Sequence, residues 1–409
     1  MKKLLIIIII GMLISSALRA QNELNSYLET AARNNPGLKV RFNEYMAALE
    51  KAPQAKALPD PQIAFAYFIS PVETRVGPQQ FKISASQMFP WFGTLKSAEN
   101  ASIQEAKAKY ELFEETKSEL FNNVKNNYYD LYFNNKAIKI TLDNLDILSS
   151  FKKLALIKVE AGLVSAVDDY RIEMEIYDLE NSLALLRDKD YVLRIAFNNL
   201  LNTEGNPEII VPGDLWTDDI AYEKTAALDS IRALNHQLLN IDFQQQALVY
   251  KKEWATKKGN PSFKIGFDYA FVGKGENNLS GKDAFIFPSI GITLPLYRSK
   301  YKAMVNEVVY LESAKADEKI NKINVLETVF EEAWKDYRDA NRRIVLYNRQ
   351  LELANISLKL LETDYSTGNK NFEEILRMDR KVLKYNLELE KAKADKQASI
   401  SFITYLMGK

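Results

Sequence analysis

The chain has 409 residues, with 54 basic and 54 acidic side chains, one histidine and no cysteine. The balanced charge removes any general electrostatic draw toward nucleic acid, which is not an expected partner. The missing cysteines exclude disulfides, thiolate metal sites, cysteine nucleophiles and a thioether lipid anchor. Only 15 Gly and 12 Pro stand beside 21 Tyr and 20 Phe, a composition that favours long helices over a loop-rich fold.

In chain order, the first element is a targeting segment. Met1-Lys2-Lys3 precedes an apolar run from Leu4 to Ile14, and Ser15 to Ala20 lead to Gln21. A short basic start, an apolar core and a small residue at the cut describe a secretory signal peptide over 1–20. The alternative is an uncleaved anchor, but a membrane-spanning helix needs about 20 apolar residues. The mature chain is therefore expected outside the cytoplasm.

The mature chain repeats itself. Val124, Tyr128, Leu131, Ile138 and Leu145 return about 206 positions later as Phe330, Trp334, Tyr337, Ile344 and Leu351. Asp130, Gly162 and Arg171 return at the same offset as Asp336, Gly368 and Arg377. An offset that holds across apolar positions, a glycine and charges indicates tandem duplication. The expected division is a first repeat over 21–202, a connection over 203–221 and a second repeat over 222–409. The first repeat holds N-terminal helices, strands 61–70 and 80–92, and a helical hairpin 94–201. The second holds a helix 222–257, strands 262–273 and 284–297, and a hairpin 299–407.

The hairpins rest on spacing and punctuation. Leu131, Ile138 and Leu145 are seven apart, as are Tyr337, Ile344, Leu351 and Leu358, which is coiled-coil spacing. Neither 94–160 nor 299–367 contains glycine or proline, so each predicts a helix of about 100 Å at 1.5 Å per residue. Gly162 and Gly368 sit where each pattern pauses, as a left-handed helix end requires.

The strand segments alternate. Ile63, Phe65, Tyr67 and Ile69 take one side, and Gln62, Ala64, Ala66 and Ser70 the other. Phe263, Ile265, Phe267, Tyr269 and Phe271 likewise oppose Lys264, Gly266, Asp268 and Ala270. Such strands fit a soluble sandwich or a membrane barrel. The aromatic density and the export signal favour the barrel. Four strands cannot close one, and lipid tolerates no open edge. A trimer would supply twelve, enough to enclose a lumen. The expected fold class is thus an α+β membrane protein: a trimeric 12-stranded barrel, four strands per protomer, continuous with a long helical tunnel.

The ordered combination resembles the TolC-like outer-membrane efflux protein family. It is carried by the signal peptide, the twice-used plan of two strands plus hairpin, Gln87-Met-Phe-Pro-Trp-Phe-Gly93, and Val159-Glu-Ala-Gly-Leu-Val-Ser-Ala-Val-Asp-Asp169. The segment after Gln87 is most similar to members serving heavy-metal resistance pumps. The resemblance implies a homotrimeric exit duct in the outer membrane of a Gram-negative bacterium, extending into the periplasm. Its implied partners are outer-membrane lipid, a periplasmic adaptor and an inner-membrane pump, with the RND type a candidate.

It also implies site residues. Gly162, Leu163, Val164 and Ser165, with Gly368 and Asn369, match the adaptor-docking hairpin tips. Asp168, Tyr365, Lys370 and Glu374 match positions of a periplasmic gate, with Glu374 as the pore-lining acid. Val167 and Arg377 depart from the family pattern at a hydroxyl and an acidic position. Three copies of Glu374 around an axis would favour cations in a narrow bore. The alternative is that all four gate positions are ordinary polar residues beside a turn.

No chemistry competes strongly. His236 lies in a helical context without a nucleophile or ligand spacing, and is expected to be solvated. There is no phosphate-binding glycine loop and no nucleophile elbow. Neither a catalytic site, a cofactor nor a resident metal is expected. The competing function is a periplasmic or surface structural coiled-coil protein with no transport role.

Overall fold

The computed structural model describes residues 22–161, 165–205, 207–216, 218–275, 281–366 and 372–409. The segment 1–20 therefore lies outside the described residues. Helix α1 covers 22–34, followed by α2 (Pro36–Leu49) and α3 (Lys51–Lys56). Strands β1 (Gln62–Thr74) and β2 (Gly77–Phe89) lead into α4 (Thr94–Glu160) and α5 (Val167–Leu201). The second half repeats this with α6 (Lys224–Leu234), α7 (His236–Lys258), β3 (Ser262–Val272), β4 (Ala284–Thr293), α8 (Arg298–Ser366) and α9 (Phe372–Leu406).

Where the sequence suggests one helix over 222–257, there are two. Asn235 is extended, with ψ 124°. Its side-chain amide donates to the Leu406 carbonyl at 2.9 Å, a contact 171 residues away in sequence. The break is thus fixed by tertiary structure. His236, which starts α7, also departs from expectation: its Nδ1 lies 2.8 Å from a Glu111 carboxylate oxygen and both side chains are largely buried.

The chain forms two compact units that cut across the repeats. One joins residues 41–113 with 236–322, and the other joins 22–40, 114–235 and 323–409. Each draws equivalent pieces from both halves, so neither repeat is a domain by itself.

The 41–113/236–322 unit carries an antiparallel sheet in the order β1-β2-β3-β4. Cross-strand rows run Phe65, Ile83, Tyr269, Phe285 and Tyr67, Phe81, Phe271 on one face. Row Met88, Lys264, Gly291 lies on the other. Among the described residues nothing covers the apolar face: Ile63, Phe65, Tyr67, Phe285 and Ile290 are exposed, and Ile69 is 92% exposed. Gly93, at φ 78°, makes the left-handed step from β2 into α4.

The other unit is built on α4, α5, α8 and α9. Tyr128, Tyr132, Phe197 and Phe330 are completely buried in it, with Tyr27 edge-on to Phe197 at 5.1 Å. The heptad expectation needs correction here. In α4, Leu131 is buried, but Ile138 and Leu145 are only half-buried. The fully buried side has moved to Asn134, Ala137, Thr141, Asn144 and Leu148. The buried set still runs in three-, four- and seven-residue steps, so the contact is heptad-spaced but lies along a different series from Leu131, Ile138 and Leu145. In α8, Tyr337, Ile344, Leu351 and Leu358 are also half-buried, while Ala333, Ala340 and Ala354 take the core.

Candidate gate at the helix starts

Helices α5 and α9 begin alike. Each has two acidic residues in its first turn, Asp168 and Asp169 in one and Glu373 and Glu374 in the other, where the helix dipole favours negative charge. An arginine comes three residues later in both. Arg171 Nη1 lies 3.5 Å from Asp168, and Arg377 pairs with Glu374. Asp168 and Glu374 occupy equivalent repeat positions, as do Arg171 and Arg377.

Their surroundings differ. Asp168 is 7% exposed, and this burial pushes its carboxyl above the usual range; Arg171 opposes the rise and Glu373 adds to it. Glu374 is half-buried and held by Arg377. Arg171 also reaches Glu373 on α9 at 3.4 Å, and Arg380 of α9 reaches Glu175 on α5 at 3.1 Å. Two ion pairs thus tie α5 to α9.

The Tyr365 hydroxyl makes no hydrogen bond to Asp168. Tyr365 is 2% exposed, in a cluster with Leu148, Ala155, Ile172, Phe372, Ile375 and Leu376. Its ring centroid lies 5.1 Å from that of Phe372, and Lys158 Nζ sits 3.8 Å from its centre while donating to its carbonyl. Its hydroxyl has no hydrogen-bond partner among the described residues. Tyr365 is therefore a core residue first. Burial raises its phenol, and the nearby Asp168 charge adds to that.

Gly162, Leu163, Val164, Gly368, Asn369 and Lys370 lie outside the described residues. Ser165 is exposed, and its hydroxyl accepts the Val167 N–H at 3.3 Å. Among the described residues, no group of three or more His, Asp or Glu side chains could hold a metal ion. No described helix is long and apolar enough to cross a membrane.

The sequence reasoning missed Asp379. It is 2% exposed and accepts from the Asn144 side-chain amide at 3.1 and 3.0 Å. Burial pushes its carboxyl up to about 6; the Asn144 bond opposes that, Glu362 and Glu175 reinforce it, and Arg380 opposes it. The signal was present: Asp379 stands seven residues after Phe372, on the side where apolar residues are expected.

Residues 27–203 match the family described as outer membrane efflux protein. The fold extends the likeness across both halves. The outer membrane protein VceC of Vibrio cholerae superimposes with a TM-score of 0.77 at 15% identity, over 95% of this chain and 97% of that one. The MtrE outer membrane channel of Neisseria gonorrhoeae gives 0.76 at 14%, over 94% and 89%. CusC, whose structures concern folding and transmembrane channel formation, gives 0.76 at 17%, over 94% and 92%. Fold similarity at this even level singles out no heavy-metal subtype. No curated protein matches the sequence significantly.

Proposed function

We propose that the protein is the passive exit duct of a tripartite efflux or secretion system, closed into a homotrimer. The observation that carries this reading is the sheet: one exposed apolar face, one polar face, and β1 and β4 with free outer edges. In lipid such edges cost several kcal/mol per unpaired backbone group, so β1 of one copy must meet β4 of the next. Three copies give twelve strands around a water-filled lumen.

Two exposed apolar seams support the same assembly. Val167, Tyr170, Met174 and Tyr177 line α5, and Leu346, Leu353, Ile356 and Leu360 line α8, all unburied in the protomer. Their three-, four- and seven-residue spacings are those of helix packing faces. An inner-membrane pump, through a periplasmic adaptor, would supply the driving force, and the hairpin tips at 162–165 and 368–369 would receive the adaptor. Asp168, Tyr365, Lys370 and Glu374 would border the periplasmic constriction, with Glu374 the acid facing water.

Fractionation and export together test the reading. The expected result is detergent-resistant outer-membrane material that migrates as a trimer, and loss of cargo export when the gene is deleted. Soluble periplasmic recovery with unchanged export would establish the structural coiled-coil alternative instead.

A further inference from the structure

Within the regular part of the four strands, 62–72, 79–89, 262–272 and 284–293, there are three charged residues: Lys82, Lys264 and Asp268. All three lie on the polar face, because each is at an odd step from the apolar rows Phe65–Ile83–Tyr269–Phe285 and Tyr67–Phe81–Phe271. Two of them cancel. Lys82 Nζ lies 2.8 Å from Asp268, whose carboxylate also accepts from Ser84 Oγ at 2.5 Å. Lys264 is left over: it is exposed and, among the described residues, has no carboxylate within ion-pair distance.

Its neighbours explain why it stays free. Directly across are Met88 on β2 and Gly291 on β4. Gly291 places no side chain beside Lys264, although a methyl group there would make only an ordinary contact, 3.4 Å from Lys264 Cβ. β3 is an inner strand, flanked on both sides by its own chain. Closing a barrel through β1 and β4 brings no foreign strand beside Lys264.

We propose that Lys264 sets the ionic preference of the strand-built part of the duct, three copies forming an unneutralised cationic ring that favours anionic cargo. The proposal rests on the trimeric duct reading. The other lumen-side positions near it, Ser84, Ser86, Gly266, Ser289 and Gly291, are small and neutral, and among the described residues of the regular strand segments the one carboxylate on this face, Asp268, is paired with Lys82. A ring of one charge sign in a pore attracts counter-ions and repels co-ions. The ring would act in the strand-built part and any acidic constriction at Glu374 in the helical part, giving the two parts opposite preferences.

The absence of native cysteine makes the first test simple. Lys264→Cys and Ile265→Cys each carry one thiol, and both are treated in lipid with a membrane-impermeant cationic or anionic thiol reagent. Position 264 is expected to react and position 265, on the lipid side, to stay protected. The reverse pattern overturns the proposal. The second test is the reversal potential of the full-length protein in planar bilayers under a potassium chloride gradient. Lys264→Gln should shift it toward the potassium value and Lys264→Glu further, while Lys82→Gln should shift it in the same direction by freeing Asp268. Conducting channels whose reversal potential is the same in wild type and Lys264→Gln refute the role of Lys264. No conductance from wild type refutes the duct reading itself, and the proposal with it.

Discussion

Asp379 gives the sharpest test of how the helical unit is held. Its carboxyl is 2% exposed, has one described donor group, the Asn144 amide, and shares its surroundings with Glu175 and Glu362. Burial raises it from an ordinary 3.8 to about 6. At about 1.4 kcal/mol per tenfold change, that rise corresponds to about 3 kcal/mol held against the ionised form in the folded state. The folded protein then binds this proton more tightly than the unfolded chain does. Its contribution to stability is complete below about 4, is lost as pH rises toward about 6, and stays lost above that.

Asp379→Asn keeps the size and an acceptor for Asn144 but cannot ionise. The variant is expected to be more stable than wild type at neutral pH by up to about 3 kcal/mol, with the advantage vanishing near pH 4. Thermal unfolding of both proteins in the same detergent across this range reads the difference. An advantage that does not change with pH, or a variant less stable at neutral pH, would refute the reasoning. The second result would mean that the ionised carboxylate has a partner of its own, such as a bound cation.

The packing sets three further outcomes. Tyr365→Phe should leave stability within about 0.5 kcal/mol of wild type because the lost hydroxyl has no described partner; Tyr365→Ala should cost about 3–5 kcal/mol through the cavity beside Phe372. If Tyr365→Phe instead raises conductance, the hydroxyl takes part in closing the duct. Glu374→Ala should weaken divalent-cation block of single-channel current, whereas Asp168→Ala, at the buried equivalent position, should leave block unchanged; equal effects would move Glu374 out of the pore and into a helix-start role. Gly408→Ala should destabilise by more than about 1 kcal/mol, because Gly408 sits at φ 71° with its added methyl only 2.2 Å from the Leu234 carbonyl. Combining it with Asn235→Ala should cost less than the sum, since both loosen one contact between the chain end and the α6–α7 break. Chemical denaturation of the three variants checks this.

Local pattern carried much of the architecture. A glycine- and proline-free stretch from Thr94 made α4 readable, and strict alternation in Phe263 to Phe271 made β3 and its lipid-side face readable. Other features depend on partners that no local window contains. Asn235 looks like an ordinary helical residue until Leu406 accepts its amide. His236 looks solvated until Glu111, 125 residues earlier, pairs with it. At the gate, residue types at fixed offsets from two glycines could be named in advance, but not their burial. That burial separates Asp168 from Glu374, and it places the Tyr365 ring among apolar side chains.

The register between α4 and α9 is fixed by polar contacts that an apolar seven-residue pattern does not contain. Three buried polar contacts join them: Asn122 with Ser401, Tyr132 with Glu390, and Asn144 with Asp379. Residue numbers rise along α4 as they fall along α9, so the helices are antiparallel. The steps are 11 and 11 on α9, and 10 and 12 on α4. Eleven residues complete three turns at about 3.67 per turn, so the three contacts recur on one side of α9. The polar contacts also make the register specific. Sliding one helix by a residue would leave three sets of buried donors and acceptors unmatched, at about 1–3 kcal/mol for each unsatisfied group. Apolar contacts among alanine and leucine would tolerate such a slip much better. Long helices with a pinned register suit the wall of a tunnel, where neighbouring helices must keep constant spacing over many turns.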